Sequence, residues 1–185
     1  IIVGFNHHFG HNREGDFDYL QQLAAYHNFI VEEIPEQDIQ NESVSSTKIR
    51  KAILEGNIQR ANAYLDHQYI VMGKLKNAPE KNNIFGFAAY IIYIEDESKL
   101  VPPCGVYAVH LSINSQNIKA MAIIIKNDED SKVIMLNLFH NYDNLNDIDA
   151  TIYFHKMVTP LKCKIDDNYN EILAKGKEKI EELIY

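Results

Sequence analysis

Ser45-Ser46-Thr47-Lys48-Ile49-Arg50 is the stretch best suited to chemistry. Hydroxyl side chains stand where a helix should begin, and two basic side chains fall in its first turns. A helix left to itself prefers the reverse, because its N-terminus carries partial positive charge. An anion resolves the conflict. Free backbone N–H groups, the hydroxyls and Arg50 would then converge on a phosphate. The plain alternative is an N-cap followed by two solvated basic side chains.

A second polar stretch, Gly4 to Arg13, carries Asn6, His7, His8, Phe9, Gly10 and His11. His7 and His11 have a ligand-like i, i+4 spacing, but no cysteine or carboxylate cluster accompanies them. They are read as loop residues near a ligand, and no metal site is expected.

The elements that must hold these residues follow from periodicity. Ile1-Ile2-Val3-Gly4 reads as a buried parallel strand running into the loop. Such a strand needs neighbours on both sides, so the chain is expected to be a fragment lacking the earlier part of an α/β domain. Asp16 to Asn28 reads as a helix capped by Asp16, Phe29 to Ile34 as a strand, and Pro35 to Glu42 as an acidic polar loop. Thr47 to Glu55 is the helix with the basic start, with Gly56 past its end. Asn57 caps a second short helix through Leu65. Strand, helix, strand, helix is the signature of a parallel α/β sheet.

From Tyr69 the period changes. Tyr69–Lys76, Phe85–Glu95, Gly105–Ile113, Lys119–Lys126, Lys132–Phe139 and Ala150–His155 read as strands. Asn114-Ser115, Asn127-Asp128 and Asn141 mark turns between them. Six strands at this spacing predict a small antiparallel barrel. A helix from Asp167 to Leu183 closes the chain, with Ile172, Leu173, Ile180 and Leu183 facing the barrel and Lys175, Lys177 and Lys179 solvated. The domain boundary falls near Asp66 to Tyr69.

The chain has 185 residues, of which 46% are hydrophobic and 24% charged, enough for a sizeable core. A net charge of -8 argues against a nucleic-acid partner bound by general attraction. Cys104 and Cys163 lack metal spacing, and a disulfide is not expected; the simpler reading is a reduced, cytoplasmic protein. No run is long enough to cross a membrane, and no signal peptide is visible. The sequence sets no oligomeric state.

The two polar stretches, taken together, resemble the nucleotidylyltransferase module of prokaryotic bifunctional riboflavin kinase/FAD synthetases, and within that family the Bacteroidetes-type members. The resemblance continues through Leu54-Glu55-Gly56-Asn57-Ile58, Gly73-Lys74, Gly86-Phe87 and Pro103 to Val109. It implies an α+β chain: residues 1–67 as the C-terminal portion of an FMN adenylyltransferase domain, and residues 68–185 as a six-stranded riboflavin-kinase-like barrel with a C-terminal helix. The implied activity of the intact protein is adenylyl transfer from ATP to FMN, with ATP and Mg²⁺ required and FMN and FAD as substrate and product. Ser46, Thr47 and Arg50 would hold ATP phosphates. Asn6, Phe9 and Gly10 would line the flavin and nucleotide site. The family's His-x-Gly-His motif does not stand in this sequence, and no catalytic residue is assigned.

The barrel departs from the family's pattern. Its Gly-Phe-Pro-Thr-Ala-Asn reads here Gly86-Phe87-Ala88-Ala89-Tyr90-Ile91. Ala89 and Ile91 replace the Thr and Asn whose oxygens would meet Mg²⁺ and ATP. The phosphate flap, Asn77 to Asn83, has no glycine, while Pro79 lacks an N–H and Glu80 would repel phosphate. Val133 falls where the catalytic Glu belongs and Met135 where a His belongs, and valine cannot serve as a general base. The expectation is a barrel that folds but does not phosphorylate riboflavin. The alternatives are a non-catalytic flavin-binding or assembly module, and a divergent but active riboflavin kinase.

Overall fold

The computed structural model describes residues 1–5, 7–35, 38–39, 42–79, 89–140, 142, 145–163 and 169–183. They fall into two compact units, Ile1–Ser45 and Ser46–Tyr185.

In the first unit, β1 (Ile2–Gly4) pairs in parallel with β2 (Glu32–Ile34). Between them runs α1 (Phe17–His27). The Asp16 carboxylate accepts the Tyr19 N–H at 2.9 Å and so caps α1. Asn28 ends it in the left-handed conformation, with φ 62°. The strand expected to be buried buries only Val3, while Ile2 is 67% exposed. With a side-chain period of two, this two-stranded ribbon covers one face of β1 and leaves the other open. The strand expected from Phe29 begins only at Glu32. Within the expected loop, β3 (Asp38–Ile39) and β4 (Glu42–Ser43) pair antiparallel, Asp38 with Ser43 and Ile39 with Glu42.

The second unit opens with α2 (Ser46–Leu54) and α3 (Ile58–Leu65). Gly56 joins them at φ +76°, donating to the Ile53 carbonyl at 3.0 Å while Asn57 donates to Ala52 at 2.8 Å. A side chain at Gly56 would be strained by that φ and would run into Met157 and Pro103. The Asn57 side chain caps α3. Asn62 ties α3 to the barrel, donating to the Phe154 carbonyl and accepting from the Tyr69 N–H, both at 2.8 Å.

The barrel comprises β5 (Tyr69–Asn77), β6 (Ala89–Tyr93), β7 (Gly105–Ile113), β8 (Gln116–Lys126), β9 (Lys132–Leu138) and β10 (Asp149–Pro160). It closes in the order β10-β5-β6-β9-β8-β7, every pair antiparallel. Alternate residues of all six strands fill the interior, among them Val71, Ile92, Tyr107, Val109, Ala122, Leu136 and Phe154, and Ala52, Ile53, Ile58 and Ala61 of the helical pair join this core. Tyr107 is fully buried, and its hydroxyl donates to the Pro103 carbonyl at 2.6 Å. The opposite residues, including Val106, Met121, Ile123 and Met135, form a second cluster on the outer face. There α4 (Tyr169–Glu181) packs through Leu173 and Ile180, both fully buried. Lys175 and Lys177 pair along α4 with Glu171 and Glu181.

One expectation about the cysteines is corrected. Cys104 and Cys163 form a disulfide across 59 residues of sequence. Cys104 precedes β7 and Cys163 follows β10. Those strands pair at Pro160 and Gly105, and the Leu161 N–H continues the contact to the Cys104 carbonyl. The barrel's closure, not local spacing, brings the two thiols together.

Candidate functional site

In α2, Ala52 and Ile53 face the core, and Ile49 packs against it. The opposite stripe carries Ser46, Thr47 and Arg50, all exposed. Arg50 stands one turn beyond Ser46 and Thr47, so two hydroxyls and a guanidinium share one surface at the helix start. No acidic residue lies in the first turn. Hydroxyl donors and a guanidinium thus stand at the helix end whose dipole favours an anion.

The loop of the first unit is held by its own contacts. Phe9 and Gly15 exchange backbone hydrogen bonds at 2.9 Å in both directions. The Phe9 ring lies over Gly15, leaving no room there for a side chain, and stacks with His7 and Tyr19 at centroid distances of 6.3 and 6.2 Å. Gly10, with φ +78°, is exposed beside it. Asn6 lies outside the described residues. His7, His8 and His11 are exposed.

Ala89, Ile91 and Val133 lie on one outer face of the barrel. Across the β6–β9 ladder Ala89 pairs with Asn137 and Ile91 with Met135. Val133 follows two residues before Met135 on the same side. Ile91 and Val133 are partly buried and pack against the outer apolar cluster that contains Met135. Within this face Asn137 is 2% exposed, and among the described residues neither its amide nitrogen nor its amide oxygen has a hydrogen-bond partner. Sequence reading passed over Asn137. The signal available was one amide in an otherwise apolar strand, Val133 to Leu138. Of the flap, residues 80–83 lie outside the described residues, as do Gly86, Phe87 and Ala88. Among the described residues no group of three or more His, Cys, Asp or Glu side chains is arranged to hold a metal ion.

Comparison with known proteins supplies the context. A sequence model of the FAD synthetase family matches residues 1–48. The bifunctional riboflavin kinase/FMN adenylyltransferase of Listeria monocytogenes is 32% identical over 126 residues, 67% of this chain and 39% of that protein. This chain is a relative of those bifunctional proteins. The Buchnera aphidicola protein of the same description is 26% identical over 191 residues, covering 100% of this chain and 57% of that one. The chain thus spans between 39% and 57% of the length of these two relatives. The crystal structure of a macrolide-efflux protein from Streptococcus pneumoniae superposes with a TM-score of 0.80 over 99% of this chain and 60% of that one. At 23% identity, that likeness shows the fold alone. No described helix is long and apolar enough to cross a membrane.

Proposed function

We propose that the intact protein serves FAD biosynthesis as an FMN adenylyltransferase whose riboflavin-kinase barrel is inactive. Residues 1–67 belong, in this reading, to the adenylyltransferase half and residues 68–185 to the barrel half. The single observation that carries it is the β6–β9 outer face. Its paired positions present a methyl group, a branched alkyl chain and a thioether at Ala89, Ile91 and Met135. Mg²⁺ requires oxygen ligands in near-octahedral array; these three side chains offer none, and the Asn137 amide opposite Ala89 adds a single oxygen. Val133 supplies no base for a ribityl hydroxyl. The kinase's metal does not fit this face, and no phosphoryl transfer is assigned to it.

The adenylyl half is supported by α2. FMN phosphate attacks the α-phosphorus of ATP, the bond to the β-phosphate oxygen breaks, and pyrophosphate leaves. Such a step depends on phosphate positioning and charge neutralisation. Ser46, Thr47 and Arg50 offer both, with Mg²⁺ arriving on the nucleotide as Mg-ATP. The intact protein is expected to form FAD from FMN and Mg-ATP, and Arg50→Ala to lower kcat/KM by about 10–100-fold. Unchanged kinetics in Arg50→Ala would remove this helix start from the site.

Asn137 favours one further reading, a barrel that holds a flavin or another small ligand without turnover. A buried amide with two unsatisfied atoms is suited to a ligand edge that both donates and accepts. Flavin fluorescence quenching that does not depend on Mg-ATP, and that is lost in Asn137→Leu, would support this reading. Quenching unaffected by that variant would exclude Asn137 from it.

A further inference from the structure

Cys104 and Cys163 are placed by backbone hydrogen bonds that do not depend on the bond between their sulfurs. Thr159 and Pro160 of β10 lie opposite Val106 and Gly105 of β7. Past the end of that ladder the Leu161 N–H donates to the Cys104 carbonyl at 3.2 Å, and the Lys126 N–H, at the end of β8, donates to the Cys163 carbonyl at 3.0 Å. The residue before Cys104 is fixed as well, because the Tyr107 hydroxyl donates to the Pro103 carbonyl at 2.6 Å. The two Cα atoms stand 5.2 Å apart, within the ordinary span of a disulfide. Opening the sulfur–sulfur bond therefore leaves both residues in register to close it again. The two cysteines differ in their access to solvent. Cys104 is 4% exposed, while Cys163 is half-buried. Cys163 also stands between two lysines in the chain, Lys162, which is exposed, and Lys164. Access and cationic neighbours are what make one sulfur of a pair the reactive one.

We propose that Cys163 is a reversible thiol-exchange site for low-molecular-weight disulfides, with Cys104 as its resolving partner. Starting from the two thiols, Cys163 gives its proton to water and its thiolate attacks one sulfur of the small disulfide. A bond forms between Cys163 Sγ and that sulfur, the small disulfide's own bond breaks, and the departing thiolate takes a proton from water. Cys104 then gives its proton to water and attacks Cys163 Sγ. The bond between the two cysteines forms, the mixed disulfide breaks, and a second small thiolate leaves and is protonated. Two protein thiols are oxidised and one small disulfide is reduced to two thiols, so electrons and protons balance. An excess of small thiol drives the same steps backwards. The division of roles follows from burial. A small disulfide reaches the half-buried sulfur of Cys163, whereas Cys104 is closed to solvent and meets the mixed disulfide from within. The hydrogen bonds at Leu161 and Lys126 hold the two residues side by side, which makes the resolving step intramolecular and oriented. The folded chain thus holds this bond or opens it according to the thiol–disulfide balance around it.

Full-length protein, reduced with dithiothreitol and desalted, tests the site. Iodoacetamide, followed by peptide mass spectrometry, should label Cys163 about tenfold or more faster than Cys104. The aromatic bands of the near-ultraviolet circular dichroism should be the same before and after reduction. Oxidised glutathione should restore the Cys104–Cys163 bond in the wild type. In Cys104→Ser it should leave one persistent glutathione adduct, on Cys163. Equal labelling of the two cysteines, faster labelling of Cys104, loss of the aromatic bands on reduction, or a Cys104→Ser variant that folds yet takes no adduct would overturn the proposal. The labelling and the spectrum use the wild type, so they decide the matter whether or not the variant folds.

Discussion

Ile91 on β6 and Met135 on β9 are paired directly across the barrel ladder; Met135 lies in the outer apolar cluster and Ile91 packs against it. Hydrocarbon and sulfur therefore meet at the centre of the face on which the functional reading of the barrel turns. The same ladder places Ala89 opposite Asn137. On this face the Asn137 amide has no hydrogen-bond partner among the described residues.

Asn137 supplies the first prediction. A buried amide with no hydrogen bond retains its desolvation cost, of about 1–3 kcal/mol. Replacing it by an apolar group of similar shape removes that cost. Asn137→Leu is therefore expected to raise the unfolding free energy by about 1–2 kcal/mol, read from urea denaturation. A loss of stability of similar size would show that the amide has a bound partner in solution.

The Cys104–Cys163 bond supplies the second. It closes a loop across 59 residues, which constrains the unfolded chain far more than the folded one. Reduction is expected to cost about 2–4 kcal/mol. Urea midpoints with and without a phosphine reductant measure this. Coincident midpoints would contradict it.

A third prediction concerns pH. His155 titrates at about 4 in the folded chain, chiefly because it is buried, against 6.5 for an ordinary imidazole. Between those values the unfolded chain binds a proton that the folded chain refuses. Stability should therefore fall as pH is lowered from 6.5 towards 4, and His155 should contribute no slope above that window. His155→Gln should flatten the profile there. An unchanged slope would mean that His155 takes up its proton in the folded state as readily as in the unfolded one.

Much of the fold was legible where local rules act alone. Gly105–Ile113 matches its predicted bounds because an apolar run ends in Asn114-Ser115, both at positive φ in the observed turn. Asp16 and Asn57 cap the helices they were expected to cap. The last strand was read as ending at His155, yet it runs to Pro160. Register shifts at Phe154/Lys156 and Met157/Thr159 break the alternation from which a strand's length is read. The stripe of Ser46, Thr47 and Arg50 followed from helical spacing. The disulfide and the company of Asn137 did not follow from the sequence. Each depends on which strands become neighbours when the barrel closes, and β6 pairs with β9 across more than forty intervening positions of Cα register, from Ala89 to Asn137.

The most direct test of the functional account is product analysis by the intact protein supplied with Mg-ATP and, in separate reactions, FMN or riboflavin. Chromatography of the flavins reads both activities. The account predicts FAD from FMN and no FMN or FAD from riboflavin. Sustained formation of FMN from riboflavin would contradict it, because Ala89, Ile91, Val133 and Met135 supply neither metal ligand nor base for that phosphoryl transfer.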